Sequence, residues 1–202
     1  MKKLIGLVGT NSDHSTNRQL LQYMAKHFDE TTSIELVEIK GLPLFNKPEN
    51  YEVLPQVQEI AEKIEEADGV IISTPEYDHS VPAALSNALA WLSYDIYPFV
   101  DKPVMIVGAA YGTLGTSRAQ THLHQILNAP ELKARIMPSS DFLLSHSLQA
   151  FDEDGQLIYP EKANELDRIF ADFIEFIELI SQITTSHAEN KKAAASFSWD
   201  EQ

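Results

Sequence analysis

Three short stretches concentrate side chains that could hold a ligand. The first, Gly9-Thr-Asn-Ser-Asp-His-Ser-Thr-Asn17, is packed with small hydroxyls and amides. Backbone N–H groups at a helix N-terminus, joined by such side chains, bind phosphate without much positive charge. The stretch lacks the Gly-Lys-Ser/Thr ending of a Walker A loop, and Gly6 and Gly9 do not continue into G-x-G-x-x-G. A polar turn with a helix cap explains its composition equally well. The second stretch, Pro75-Glu-Tyr-Asp-His-Ser80, combines a stiff proline, an acid and a tyrosine with a flat face and a polar tip. Ser80 and Asp78 suit helix capping, but capping leaves Glu76-Tyr77 unexplained. The third, Gly108-Ala-Ala-Tyr-Gly-Thr-Leu-Gly115, lets backbone approach a planar group, with Tyr111 as a wall. A loose Gly/Ala turn is the equally good local alternative.

These stretches need a scaffold that brings them together, and the apolar pattern supplies one. Short β-branched or Leu-rich runs lie at 3–8, 34–39, 69–73, 104–108 and 141–144, alternating with helical spacing at 16–28, 54–66, 82–92, 116–127 and 161–183. Five strands alternating with five helices predict a parallel sheet covered on both faces, doubly wound by right-handed crossovers. Ligands of such sheets bind beyond the carboxyl ends of the strands, and the three stretches follow the first, third and fourth strands. The helix at 161–183 carries a clean apolar stripe and reads as packing. Residues 1–184 form one domain. Residues 185–202 lose periodicity and read as a flexible tail, with Phe197 and Trp199 free to dock on a partner.

Composition narrows the function classes. The chain has 202 residues, 44% of them apolar, enough for one real core. A formal net charge of -15 disfavours nucleic acid and anionic lipid, and no run of eighteen apolar residues is present to span a membrane. The start of the chain reads as a first strand rather than a signal peptide, which places the protein in the cytoplasm. With no cysteine, disulfides and thiolate chemistry are absent. His122 and His124 are two apart, so a helix points them to different faces, and no metal site is expected. His14 and His79 lie in the first two stretches and can approach a ligand, although solvated loop histidines are the plainer reading. Asp152-Glu-Asp-Gly155 is too short for an EF-hand and reads as an acidic turn.

The motifs resemble those of the NAD(P)H-dependent FMN reductases, flavoproteins with a flavodoxin-like fold. The family's first loop typically reads Gly-Ser-x-Arg-x-x-Ser-x-Asn, and Gly9-Thr10-x-Ser12-x-x-Ser15-x-Asn17 stands in its place. Its second typically reads Pro-Glu-Tyr-Asn-x-Ser-x-Pro-Gly-x-Leu-Lys-Asn-Ala-x-Asp-Trp, matched by Pro75-Glu76-Tyr77-Asp78-x-Ser80-x-Pro82-Ala83-x-Leu85-Ser86-Asn87-Ala88-x-Ala90-Trp91. The resemblance implies a three-layer α/β/α fold with strand order 2-1-3-4-5. It implies that Thr10, Ser12, Ser15, Thr16 and Asn17 hold the FMN phosphate. Pro75, Glu76 and Tyr77 would line the ring, with Ser80 close by and Ala109, Ala110 and Gly112 on the other side. The implied activity passes hydride from NAD(P)H through bound FMN to a small acceptor such as free flavin, a quinone or an azo compound. No side chain is singled out as an essential proton donor, and a homodimer or homotetramer is implied. Ser12 replaces the family's cationic residue, Arg18 is one candidate to compensate, and Asp78 would bring negative charge towards the flavin. The rival from another class is a flavodoxin-type electron carrier serving protein partners, whose acidic surface this chain shares but whose Thr- and Gly-containing first loop it lacks. A binding domain that has lost its flavin is a third reading.

Overall fold

The structure is a computed structural model that describes residues 1–50, 52–183 and 186–196. Strands β1 (Lys2–Val8), β2 (Thr32–Glu38), β3 (Gly69–Ser73) and β4 (Pro103–Ala109) alternate with helices α1 (Thr16–His27), α2 (Pro55–Glu66), α3 (Ala83–Leu92) and α4 (Ser117–Leu127). Then come β5 (Arg135–Ile136), β6 (Phe142–Leu144), α5 (Pro160–Ile183) and α6 (His187–Ala195). All strand pairs are parallel and the order is β2-β1-β3-β4-β5, as the motifs imply.

Every residue of β3 and β4 is buried, because helices cover both faces of the sheet. The period of two divides each strand between the layers. Ile5, Leu7, Val70, Ile72, Val104 and Ile106 face the core under α2, α3 and α4. Leu4, Val8, Ile71, Met105 and Val107 face the core under α1 and α5. The stripe of α5 (Leu166, Phe170, Phe173, Ile177) is packed into that second core.

Two elements differ from the sequence pattern. The fifth sheet position is shared by two short strands, both on β4: β5 pairs with its beginning and β6 with its end. Between them Pro138 lacks an N–H for the ladder and Ser139 takes a positive φ of 56°. Only the second of these, at 142–144, is readable as a strand in the sequence. At the other end of the chain, where periodicity fades, residues 187–195 form α6. It docks Ala194 against Tyr97 and Val100 and makes polar contacts to Asp101 and Lys133 and, through Lys191, to Glu65. Phe197 and Trp199 lie outside the described residues. The acidic stretch at 152–155 is a turn in which Asp152 Oδ1 accepts the Asp154 and Gln156 N–H groups.

Candidate functional site

The carboxyl ends of β1, β3 and β4 are drawn together by close backbone contacts. Gly9 N donates to the Ser73 carbonyl at 2.8 Å, and a Cβ on Gly9 would lie 2.5 Å from that oxygen. Gly108 is similarly confined: a Cβ there would strike Thr116 Oγ1 and approach the Thr74 carbonyl to 2.7 Å. Both positions need glycine because other chain segments fill the space of a side chain.

Asn17 completes this junction from the second position of α1. Its Nδ2 donates to the Ala109 carbonyl at 2.8 Å, and its Oδ1 accepts Ala109 N at 2.9 Å and Ser73 Oγ at 3.0 Å. Thr16 Oγ1 shares a 2.8 Å hydrogen bond with Ser147 Oγ. Thr10 is buried, where its Oγ1 accepts Ser12 N at 3.2 Å and lies 3.4 Å from Tyr77 Oη. Three side chains expected to hold phosphate are thus engaged in joining loops. Ser15 caps α1 by accepting Arg18 N, which leaves its hydroxyl proton free to donate. Arg18 faces the outside of the loop. Its Nε and Nη2 fork onto Glu38 at 2.6 and 2.9 Å, and Nη1 donates to the Ser12 and Asp13 carbonyls. It braces the loop from behind, so positive potential inside comes from the start of α1.

The second loop is a tight two-residue turn. Tyr77 and Ser80 exchange both backbone hydrogen bonds, at 3.0 and 2.9 Å, while Asp78 and His79 take φ values of 49° and 64°. Positive φ at both central positions is the type I′ pattern, which favours Asp at the first. Asp78 is therefore a turn residue at an exposed tip and does not line the cavity. Glu76 is the carboxylate that does. Its Oε2 accepts the Arg118 and Ala119 N–H groups at 3.0 and 3.3 Å, stapling the start of α4. Oε1 lies 2.9 Å from Arg118 Nε and 3.6 Å from His79 Nδ1. Burial pushes the Glu76 carboxyl up, but the Ala119 and Arg118 N–H donors, the Arg118 charge and His79 outweigh it and hold it below its ordinary value. Ser80 points to the outer side, with its Oγ 2.7 Å from His122 Nδ1.

The third loop is held by the segment after β6. Ala110 N donates to the Leu144 carbonyl, Ser147 N to that of Ala110 and His146 N to that of Gly112. Ser145, His146 and Ser147 were invisible as site residues in the sequence, because nothing local marks a support that arrives from more than thirty residues away.

These loops enclose an open-mouthed cavity of about 490 Å³, within the usual range of small-molecule sites. Of the residues the motifs indicate, all but Thr10 and Ser80 reach its wall. The cavity adds His14, Tyr111 and the run Thr113–Thr116, with Arg118 at its edge. One end offers the α1 N-terminus with Ser12 and Ser15; the other is a slot between Pro75-Glu76-Tyr77 and Ala109-Ala110-Gly112. A Cβ added to Gly112 would meet nothing within 4 Å, so that side of the slot is open space. A flat ring attached to an anionic end fits this shape and this donor set.

A doubly wound sheet with a ligand cavity at the β1/β3 switch point defines a flavodoxin-like nucleotide or flavin protein. Comparison with known proteins makes it particular. Residues 2–149 match the family model described as NADPH-dependent FMN reductase, and the chain belongs to that family. It is 52% identical over 188 residues to the NADH:(hydroxy)cinnamate reductase subunit CrdA of Vibrio ruber, covering 93% of each chain. It is 41% identical to NADH-dependent flavin reductase subunit 2 of Lactobacillus johnsonii, covering 87% of this chain and 97% of that one. Among solved structures, the flavoenzyme NAD(P)H:(acceptor) oxidoreductase FerB of Paracoccus denitrificans superposes with a TM-score of 0.79 at 25% identity, over 88% of this chain and 98% of that one. The protein is an NAD(P)H-dependent oxidoreductase whose cofactor is FMN.

Proposed function

We propose that the switch-point cavity holds FMN with its phosphate at the start of α1 and its ring in the slot between residues 75–77 and 109–112. When bound there, FMN supplies a site that takes hydride from NAD(P)H and gives it to a small acceptor such as a quinone, an azo compound or free flavin. The observation that carries this reading is the joining of an anion-receptive helix start and a flat, small-residue slot in one cavity. The chain's own part is to bind, orient and exclude. Ser12, Ser15 and the first N–H groups of α1 hold the phosphate end. Asn17 fixes the distance between the first and third loops. Glu76 stays ionised and locks α4 against the second loop, so the walls keep their spacing as donor and acceptor exchange. No side chain is assigned as an essential proton donor.

Tyr77, Tyr111 and Leu114 stand exposed around the mouth, with Leu148 also exposed on the segment that braces the third loop. Such a rim suits a homodimer or homotetramer that closes over the ring. It also suits a second reading in which electrons leave for a protein partner, since two of the relatives are named as subunits. Among the described residues no helix is long and apolar enough to cross a membrane, and the demand for NAD(P)H favours a cytoplasmic setting.

The visible spectrum of the purified protein tests the central reading. An oxidised flavin band should bleach on anaerobic addition of NADH or NADPH and return with a quinone. A colourless protein that takes up no added FMN, or a band that neither donor bleaches, would refute it. Light scattering on the same sample gives the oligomer, and a requirement for a second polypeptide before any acceptor is reduced would favour the subunit reading.

A further inference from the structure

Arg118 brings a guanidinium to the cavity, beside Glu76. It sits in the first turn of α4 at the edge of the cavity, with 45% of its side chain exposed. Two of the other three arginines are closed firmly, and the third, Arg168, is exposed on α5 away from this cavity, donating to the Asn164 carbonyl at 3.4 Å. Arg18 forks onto Glu38, and Arg135 places Nε and Nη2 on Asp101 at 3.0 and 2.7 Å. Arg118 instead meets Glu76 through one ion-pair contact, 2.9 Å from Nε to Oε1, rather than a two-toothed one. With Nε beside Glu76, the Nη donors of a planar, part-exposed guanidinium remain at the cavity edge.

The local charge balance gives that fork a sign. Glu76 contributes one negative charge, the α4 N-terminus the equivalent of about +0.5, and Arg118 one positive charge, so about half a positive charge remains at the lip. Glu76 Oε2 is held by the Arg118 and Ala119 N–H groups and Oε1 also has His79 Nδ1 at 3.6 Å, so the carboxylate keeps partners when a ligand shares the Arg118 guanidinium. No lysine and no other arginine lines this cavity. Beside it stand Tyr77, Tyr111 and Leu114, exposed by 49%, 60% and 54% and all on the cavity wall. Large apolar side chains around an open mouth, with one fork of donors at their margin, fit a planar ring that bears an anionic substituent.

We propose that Arg118 is a specificity-determining residue that favours aromatic electron acceptors carrying a carboxylate or sulfonate. The ring rests on the Tyr77, Tyr111 and Leu114 rim and the anionic group takes the guanidinium fork. For a quinone acceptor, hydride from NAD(P)H and one proton from solvent give the hydroquinone and NAD(P)+, and the anionic substituent is unchanged. This inference rests on the oxidoreductase reading above and narrows its acceptor.

The test uses the FMN-loaded protein with a neutral naphthoquinone and its sulfonated analogue. Bleaching by NADH is measured first; if it fails, the oxidoreductase reading falls and the inference with it. Given bleaching, the deciding quantity is the ratio of kcat/KM for the sulfonated to the neutral acceptor. In Arg118→Gln this ratio should drop about ten- to hundredfold, the worth of one charge-assisted contact, with the loss in KM rather than kcat. Arg118→Lys should restore part of it. An unchanged ratio overturns the proposal, as does a rise in KM confined to NADH or NADPH, which would make Arg118 a donor contact. The wild-type protein offers a check independent of folding in the variants. Naphthalene sulfonate should compete with the acceptor at lower concentration than naphthalene, and equal inhibition also overturns the proposal.

Discussion

Asn17 directs both ends of its amide inward, to the Ala109 backbone and Ser73 Oγ. Truncation to alanine would leave a buried carbonyl, a buried N–H and a buried hydroxyl to find new partners. We expect Asn17→Ala to cost about 2–3 kcal/mol, seen as a lower urea midpoint at unchanged slope. Flavin affinity should fall with it, because the slot's two walls lose their tie; fluorescence titration with FMN reads that directly. A variant that kept its stability and lost only flavin would instead place Asn17 in contact with the phosphate. This residue and Glu76 were both conspicuous in the sequence as members of motifs. What they bond was not legible, because their partners lie 92 and 42 residues away. The motif showed that these positions matter, and only the fold showed that they act on the loops around them. Asp78 makes the same point in reverse: its type drew attention as a charge, while its use is a positive φ in a two-residue turn.

At the scale of elements, the strands and helices with long periodic stretches were readable, and those held by something other than an apolar face were not. β5 is two residues long, too short to show alternation. α6 presents no apolar stripe and buries only Ala194; it is fixed by Asp101, whose side chain is 2% exposed and meets Arg135, His187 and Asn190. Burial pushes the Asp101 carboxyl up, but Asn190, His187 and Arg135 overcome this and hold it below its ordinary value. A depressed folded pKa means that the stabilisation is complete above the unfolded value of about 4 and is lost as pH falls through the folded value. Acid should therefore release α6 before the sheet unfolds. Asp101→Asn keeps the shape and tolerates the residue's positive φ of 59°, but it removes the charge. It should cost about 2 kcal/mol at neutral pH, flatten the acid side of the stability profile and raise amide exchange across 187–195. Exchange rates in α6 equal to those of the wild type would show that Ala194 packing and the Lys133–Asn190 and Lys191–Glu65 contacts hold the helix without the Asp101 charge.

The whole molecule carries 30 acidic against 15 basic side chains, a net charge of -15. Its donor, NADH or NADPH, is itself an anion, so the protein's far field opposes the encounter that its site requires. The Debye length is about 30 Å at 0.01 M salt, long enough for distant carboxylates to act together at the cavity mouth, and about 8 Å at 0.15 M. Raising salt over that range removes the distant repulsion first, while the short contacts within the cavity are screened much less. For NADH, kcat/KM should thus rise severalfold between those ionic strengths, the reverse of an electrostatically steered encounter. The increase belongs in the association rate, so rapid mixing of FMN-loaded protein with NADH should show it in the second-order constant and not in the limiting rate. A fall with salt would mean that the half charge left by Arg118, Glu76 and the start of α4 outweighs the rest of the surface. The two outcomes differ in sign, so one titration of salt separates the field of the molecule from the field of its site.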